Sequence, residues 1–300
     1  MVKYFVLVEV DMKQYRIGEL DVLIDPGPIE LNDNLLTEEF IHPGEVGAQT
    51  LYIRTEVTDL SFLQEWEIEL YTGAYEIRRK DHRRFLLHHW MTYRFAFGLY
   101  LDELFCQGEI HLYCNRLPEP ICMTTARFIG STGIHHRLLQ RDSAVIHASY
   151  IDYKGKGILF TAPSQTGKST QAELWRLHNG AEILNGDRAL LLCREDGVST
   201  GGYIACGSSA ICKNRLLPLG AIVLLAQGPE NVIRPATTKE RVHALFSAME
   251  FFHWSSEDLD CALSLANRIA AQAPIFHLIC RPDEDAVRTL QHCLEAENIC

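Results

Sequence analysis

Three hundred residues, 47% hydrophobic and 22% charged, make an ordinary globular composition with enough chain for two domains, each with a core. Disordered and fibrous classes are excluded, and the net charge of −11 is spread through stretches of mixed sign. The one basic cluster, Arg78-Arg79-Lys80-Asp81-His82-Arg83-Arg84, is short and interrupted. It reads as a solvated strand end or turn, with an acidic partner as the alternative, and it speaks against nucleic acid as a partner.

The chain opens on a predicted strand, Tyr4–Val10, whose apolar run is too short for a signal-peptide core or a spanning helix. No later run is long enough either, so a cytoplasmic protein with no membrane partner is expected. Short strands follow at Leu51–Val57, Trp66–Tyr71, Ala74–Arg79 and Glu109–Cys114, punctuated by Asp25-Pro26-Gly27-Pro28 and His42-Pro43-Gly44. The stretch Arg84–Trp90 fits strand or helix. Thr125–Leu139 is expected to be one helix with Phe128, Ile134, Leu138 and Leu139 on its apolar face. Residues 1–140 therefore read as a β-rich α+β domain without a catalytic signature.

The 10 cysteines include no Cys-x-x-Cys pair, and several sit in apolar runs such as Leu191-Leu192-Cys193 and Leu278-Ile279-Cys280. Buried free thiols are the expectation. The even spacing of Cys106, Cys114 and Cys122 lacks the close ligand pairs of a zinc site.

From Ala144 strands alternate with helices: strands Ala144–Tyr150 and Gly157–Thr161, a helix after Lys168, then strands Glu182–Leu184, Ala189–Cys193 and Ala221–Ala226. Helices are expected at Thr238–Met249, Ser256–Ala271 and Asp283–Leu294, with a strand at Pro274–Cys280 before the last. This pattern over 141–300 is an α/β nucleotide-binding domain of common size.

Its chemistry is announced by Ile158-Leu159-Phe160-Thr161-Ala162-Pro163-Ser164-Gln165-Thr166-Gly167-Lys168-Ser169-Thr170. An apolar strand leads through a turn into a helix, and four residues separate Ala162 from Gly167, the spacing of a phosphate-binding loop. Lys168 is placed to reach a β- or γ-phosphate and the Ser169 hydroxyl to ligate Mg²⁺, while the helix start offers unpaired N–H groups and a positive dipole end. Pro163 withholds one N–H from the cradle, and Ala162 and Gln165 stand where glycine is common. The helix is predicted to carry an apolar stripe of Ala172, Trp175 and Leu177 and to end at Asn179-Gly180. The plain alternative is a Gly-Lys-Ser turn without a ligand.

Past Ile183-Leu184-Asn185-Gly186 stands Asp187, an acid at a strand turn one helix beyond the loop, where it could share Mg²⁺ with Ser169. The alternative is a turn in which Gly186 supplies a positive φ.

In this order and spacing, His147, Ala162–Thr170 and Asp187 resemble the catalytic domain of HPr kinase/phosphorylase and its HPr-kinase-like relatives, which share a fold with phosphoenolpyruvate carboxykinases. The segments Val145–Tyr150, Gly157–Ser164 and Ile183–Arg188 look most like the HPr-kinase-like branch common in clostridia. The resemblance covers Ala144 to about Ala236. It implies a mixed sheet, ATP and Mg²⁺, phosphates held by Lys168, metal held by Ser169 and Asp187, and His147 beside the transferred phosphate. For His147 a buried strand histidine bonded to backbone is the alternative.

HPr kinases carry two aspartates at this turn, the first a base toward the acceptor serine; here that position is Gly186. Their downstream glycine-rich signature is absent too, which argues against HPr as substrate. The run Gly201–Arg215 reads as a flexible loop ending in Lys213 and Arg215, candidates for stabilising transferred charge or for a plain surface loop. Two functions follow: a kinase for a serine-type hydroxyl on a peptide, protein or small molecule, or a nucleotide-binding scaffold that recognises a peptide or protein. A carboxykinase lacks its metal pair and its arginines here. By analogy alone, the resemblance also implies a homo-oligomer.

Overall fold

The computed structural model describes residues 12–33, 36–47, 50–89, 96–101, 109–115 and 121–300. The predicted strand Tyr4–Val10 and Cys106 lie outside the described residues. The chain is mixed α/β, strand-rich with few helices, and it divides into two compact units, 1–34 with 41–132, and 35–40 with 133–300.

The first unit is built on strands β1 (Lys13–Ile17), β2 (Leu20–Asp25), β3 (Ile29–Asn32), β4 (Thr50–Val57), β5 (Glu67–Tyr71), β6 (Tyr75–Lys80), β7 (Arg83–His89), β8 (Ala96–Tyr100), β9 (Glu109–Cys114) and β10 (Ile121–Thr124). Eight of them form one sheet in the order β1-β2-β4-β9-β8-β7-β6-β5, and β10 pairs β3 in parallel. Alternation decides which face is buried: Leu51, Ile53 and Thr55 of β4 point inward while Arg54 and Glu56 point out. Arg84–Trp90 resolves as strand over its described residues. The basic cluster is the β6–β7 hairpin, its turn at Asp81 with φ 55°; Arg78, Arg79, Lys80 and Arg84 are paired with Glu76, Glu67, Glu65 and Glu69, and Arg83 lies over the Tyr100 ring. Around Phe85 the rings of Phe62, Tyr100 and Tyr113 pack edge-on or tilted, Phe85 to Tyr100 at 5.0 Å between centroids.

The single helix expected over Thr125–Leu139 is two short ones, α1 (Thr125–Gly130) and α2 (Ile134–Leu139). Gly133 takes φ 71°, a left-handed conformation that breaks the helical run, and α2 belongs to the second unit. The apolar positions read from the sequence, Phe128, Ile134, Leu138 and Leu139, are all buried.

The second unit continues with β11 (Ser143–Tyr153), β12 (Lys156–Thr161), α3 (Lys168–Asn179), β13 (Glu182–Asn185), β14 (Arg188–Arg194), β15 (Gly197–Gly202), β16 (Leu216–Gln227), β17 (Val232–Pro235), α4 (Thr238–Ala248), α5 (Ser256–Gln272), β18 (Ile275–Cys280) and α6 (Glu284–Ala296). Its pairings are mixed: β12–β16 and β16–β18 are parallel, the rest antiparallel. The long strands β11 and β16 change partners halfway. Residues 143–147 of β11 pair β14, and residues 148–153 pair β12 on one edge, with β13 on the other from 150 to 152. Since β12 also pairs β16, and β14 reaches β16 through β15, the pairings close into a ring, which brings the start of β14 beside the end of β12.

Both faces of this sheet are covered, so its strands read as continuous apolar runs rather than alternating ones. Ile146, Ala148, Tyr150, Leu159 and Ile222 pack in one core with Leu245 of α4 and Leu265 and Ile269 of α5. Ile158, Phe160 and Val223 pack on the other side with Trp175 of α3 and Leu290 and Leu294 of α6. Trp175 is fully buried, its ring edge-on to Tyr153 at 4.9 Å. The stripe of α3 differs from the expected one: Ala172 and Trp175 are buried together with Gln171, whereas Leu177 is exposed. Two residues along a helix turn about 200°, which sets Leu177 opposite Trp175.

No helix among the described residues is long and apolar enough to cross a membrane. Cys193, Cys206, Cys212 and Cys280 are buried free thiols.

Candidate functional site

β12 delivers the chain to a loop over residues 162–167, and α3 begins at Lys168. The loop turns back on itself through Gln165 at φ 64° and Gly167 at φ 115°. A Cβ on Gly167 would meet nothing within 4 Å, so its glycine serves the backbone conformation rather than packing. Lys168 is buried, and its Nζ donates to the carbonyls of Ala162 at 3.0 Å and Pro163 at 3.3 Å, spanning the loop mouth. Burial pulls the Lys168 ammonium below its usual pKa, with the nearby Asp187 charge opposing.

The turn between β13 and β14 is held by a residue that the sequence did not single out. Asn185 is fully buried, and its Oδ1 accepts from the amides of Asp187 and Arg188 while its Nδ2 donates to the carbonyls of Tyr203 and Ala205. The Asn-Gly dipeptide signalled a turn, but not that the amide would carry it. The Gly186 carbonyl then accepts from Ser149 Oγ at 2.8 Å and from Ser169 Oγ at 3.4 Å. Strand β11, the start of α3 and the acidic turn thus meet at one carbonyl.

Gly186 does not supply a positive φ, contrary to the turn reading. What excludes a side chain is proximity, since a Cβ there would stand 2.2 Å from the Ser209 Cβ. Gly207, at φ +56°, lets the backbone of the same segment lie against Asp187, where a Cβ would come within 2.7 Å of Cγ.

His147 comes to Asp187 from the middle of β11, its Nε2 2.9 Å from Asp187 Oδ1. The alternative of a buried histidine bonded to backbone fails, since the side chain is 39% exposed and its partner is a carboxylate. Asp187 Oδ2 is bonded by Arg188, whose Nε reaches Glu250 Oε1 at 2.6 Å. Glu250 is fixed by its own amide on the Val145 carbonyl, and its Oε2 lies 3.1 Å from His135. Burial by itself raises the Glu250 carboxyl; the hydrogen bond and charge of His135, with those of Arg188, outweigh it and hold it down to about 2. Polar contacts link His147, Asp187, Arg188, Glu250 and His135 in one continuous chain, whose far members were not read from the sequence.

Lys213 and Arg215 are not brought to the loop. Lys213 Nζ pairs with Glu182 at 2.5 Å, and Arg215 bridges Asp152 at 2.9 Å and Glu182 at 2.8 Å. Nor is Gly201–Arg215 a free loop: Gly201 and Gly202 belong to β15, and the Lys213 amide donates to Leu184.

Two cavities flank the loop. One of about 440 Å³ is lined by His147, Thr161, Pro163 and Ser164, with His243 and Ser247 of α4. The other, about 400 Å³, lies along Gly167, Thr170 and Gln171 and extends to Gln227 and Arg281. The Ser169 hydroxyl and the Asp187 carboxylate are hard oxygen donors, the side-chain type that could hold a Mg²⁺ ion. Among the described residues no three His, Cys, Asp or Glu side chains gather as a metal site.

Comparison with known proteins places the chain loosely. No family model matches it, and no curated protein matches it. Among solved structures it is similar to the Hpr(Ser) kinase/phosphatase from Coxiella burnetii, with 12% identity and a TM-score of 0.30 over 51% of this chain and 98% of that one. A likeness at that level adds no functional argument, and the reading below rests on the site itself.

Proposed function

We propose that this protein is an ATP- and Mg²⁺-dependent phosphotransferase of the HPr-kinase-like type, acting on a serine-type hydroxyl of a peptide, protein or small molecule. The observation that carries the proposal is that three separate elements meet beside the loop: Ser169 Oγ at the start of α3 donates to the Gly186 carbonyl, the neighbouring Asp187 is bonded to His147 of β11, and Lys168 lies within the field of the Asp187 charge. The loop amides and the start of α3 hold the phosphates, with Lys168 exchanging its bonds to Ala162 and Pro163 for bonds to phosphate oxygens. Ser169 and Asp187 hold Mg²⁺, which supplies charge neutralisation on the phosphate oxygens. His147 lines the larger cavity, and its Nδ1, the nitrogen not bonded to Asp187, takes the acceptor proton. Transfer through a loose transition state asks little of a base, so the absence of a carboxylate at Gly186 does not forbid it.

Incubation with γ-labelled ATP, Mg²⁺, serine peptides and small hydroxyl compounds tests this directly. Labelled acceptor or Mg²⁺-dependent ATP turnover is expected. Intact ATP binding with neither would overturn catalysis and leave the second reading, a nucleotide-binding scaffold. One observation favours that scaffold: both Asp187 oxygens are already paired, to His147 and Arg188.

A further inference from the structure

The cavity of about 400 Å³ on the Gly167 and Thr170 side of the loop is unused by the chemistry above. We propose that it is the subsite for the nucleoside of the bound triphosphate, with the base lying on the Arg281 guanidinium and a ligand N–H or O–H donating to Gln171 Oε1. The proposal rests on the phosphate-loop reading and goes beyond it by assigning the nucleoside end.

Direction comes first. His147 and Asp187 mark where the transferred phosphate must lie, and His147 opens into the other cavity. The remaining phosphates therefore run away from His147, along the amides of the first turn of α3 toward Thr170. A nucleoside continuing in that line enters the second cavity, whose volume falls within the roughly 300–1,000 Å³ of small-molecule sites.

The lining supplies a second, independent indication. Gln171 is 3% exposed; its Nε2 donates to Cys280 Sγ at 3.3 Å, while its Oε1 is buried without a partner. A buried acceptor left unmade is costly, and a ligand donor in the cavity would satisfy it. Arg281 is 53% exposed yet oriented, its Nε on Asp283 at 2.9 Å and its backbone amide on Asn231. A planar, weakly hydrated guanidinium fixed at the edge of a cavity is suited to stacking on an aromatic base. No Asp or Glu lines the cavity to repel a polyanion.

Calorimetric titration of the full chain with MgATP and with magnesium tripolyphosphate, which has the phosphates and no nucleoside, tests the assignment. The wild type is expected to bind ATP about tenfold or more tightly than tripolyphosphate. Arg281→Ala and, separately, Gln171→Leu should each lower the ratio of the two affinities by about fivefold or more, on the scale of a stacked cation or a buried hydrogen bond. Arg281 is exposed, so its variant does not threaten folding. Tripolyphosphate binding with an unchanged ratio in both variants, or a wild type that does not prefer ATP, overturns the subsite alone. A wild type that binds neither ligand overturns the phosphate-loop reading and this proposal with it.

Discussion

Gly186 and Ser209 leave no room for a side chain between them: a Cβ added to Gly186 would stand 2.2 Å from the Ser209 Cβ and 2.5 Å from its Oγ. The position at which the resembled kinases carry their first aspartate is thus closed by a neighbouring segment, and glycine and Ser209 belong together. Gly186→Ala should lower stability by about 1–3 kcal/mol through overpacking. Adding Ser209→Gly to that variant should recover most of the loss. Thermal unfolding of the two variants checks it, and a Gly186→Ala melting temperature equal to that of the wild type would contradict the packing argument.

Lys168 holds two carbonyls of its own loop, so removing its charge should empty the site without unfolding the domain. Lys168→Met is expected to weaken MgATP binding by at least about tenfold, the scale of a charge-assisted hydrogen bond. Circular dichroism should stay unchanged. Wild-type affinity in this variant would remove the loop from any role in phosphate binding.

Glu250 links stability to acid. Its folded pKa of about 2 lies below its ordinary 4.5, so it contributes stability that is fully present above about pH 4.5 and is lost as pH falls toward 2. The contribution is on the order of 3 kcal/mol at most. Urea unfolding at stepped pH should show the wild type losing its advantage over Glu250→Gln across that window, with the two converging at the acid end. A constant gap between them would show that Glu250 titrates normally.

The second unit also contains a buried hydrogen-bonded pair distant in sequence. His136 Nδ1 lies 2.5 Å from Asp258 Oδ1, each side chain 1% exposed, and Asp258 Oδ2 accepts from the Phe252 amide. Replacing Asp258 by Ala removes the carboxylate from a buried imidazole and from a backbone N–H. A loss of about 2–3 kcal/mol is expected in chemical denaturation, from the buried imidazole and amide left without their acceptor. A loss below about 1 kcal/mol would mean that α2 is held to α5 by apolar packing alone.

Local rules made much of the second unit legible. Apolar runs bounded by turn residues marked β11, β12, β14 and β18, and helix-like stretches marked α4, α5 and α6, whose starts the structure caps: Thr237, Ser255 and Asp283 each accept from an amide of the turn that follows. The loop at 162–167 was legible because its function is written in covalent spacing between neighbours. Failures came where a residue's role depends on distant partners. Lys213 and Arg215 looked like free cations because Asp152 and Glu182, which pair with them, lie 31 to 63 positions away. The strand β15 was hidden because its Gly and Ser carry no apolar signal, and β14 and β16 organise it.

By itself the sequence determined the strand-loop-helix unit, the positions of Lys168 and Ser169 within it, and an acid at Asp187 after a turn. These follow from periodicity, capping and turn chemistry acting over a few residues. Only the tertiary structure decided that His147 would find Asp187 across 40 positions, that Glu250 would hold Arg188 across 62, and that Ser209 would close the space at Gly186. Those relationships depend on strands β11 and β16 exchanging partners along their length. That exchange is a property of the whole sheet and has no signature in any local stretch of chain.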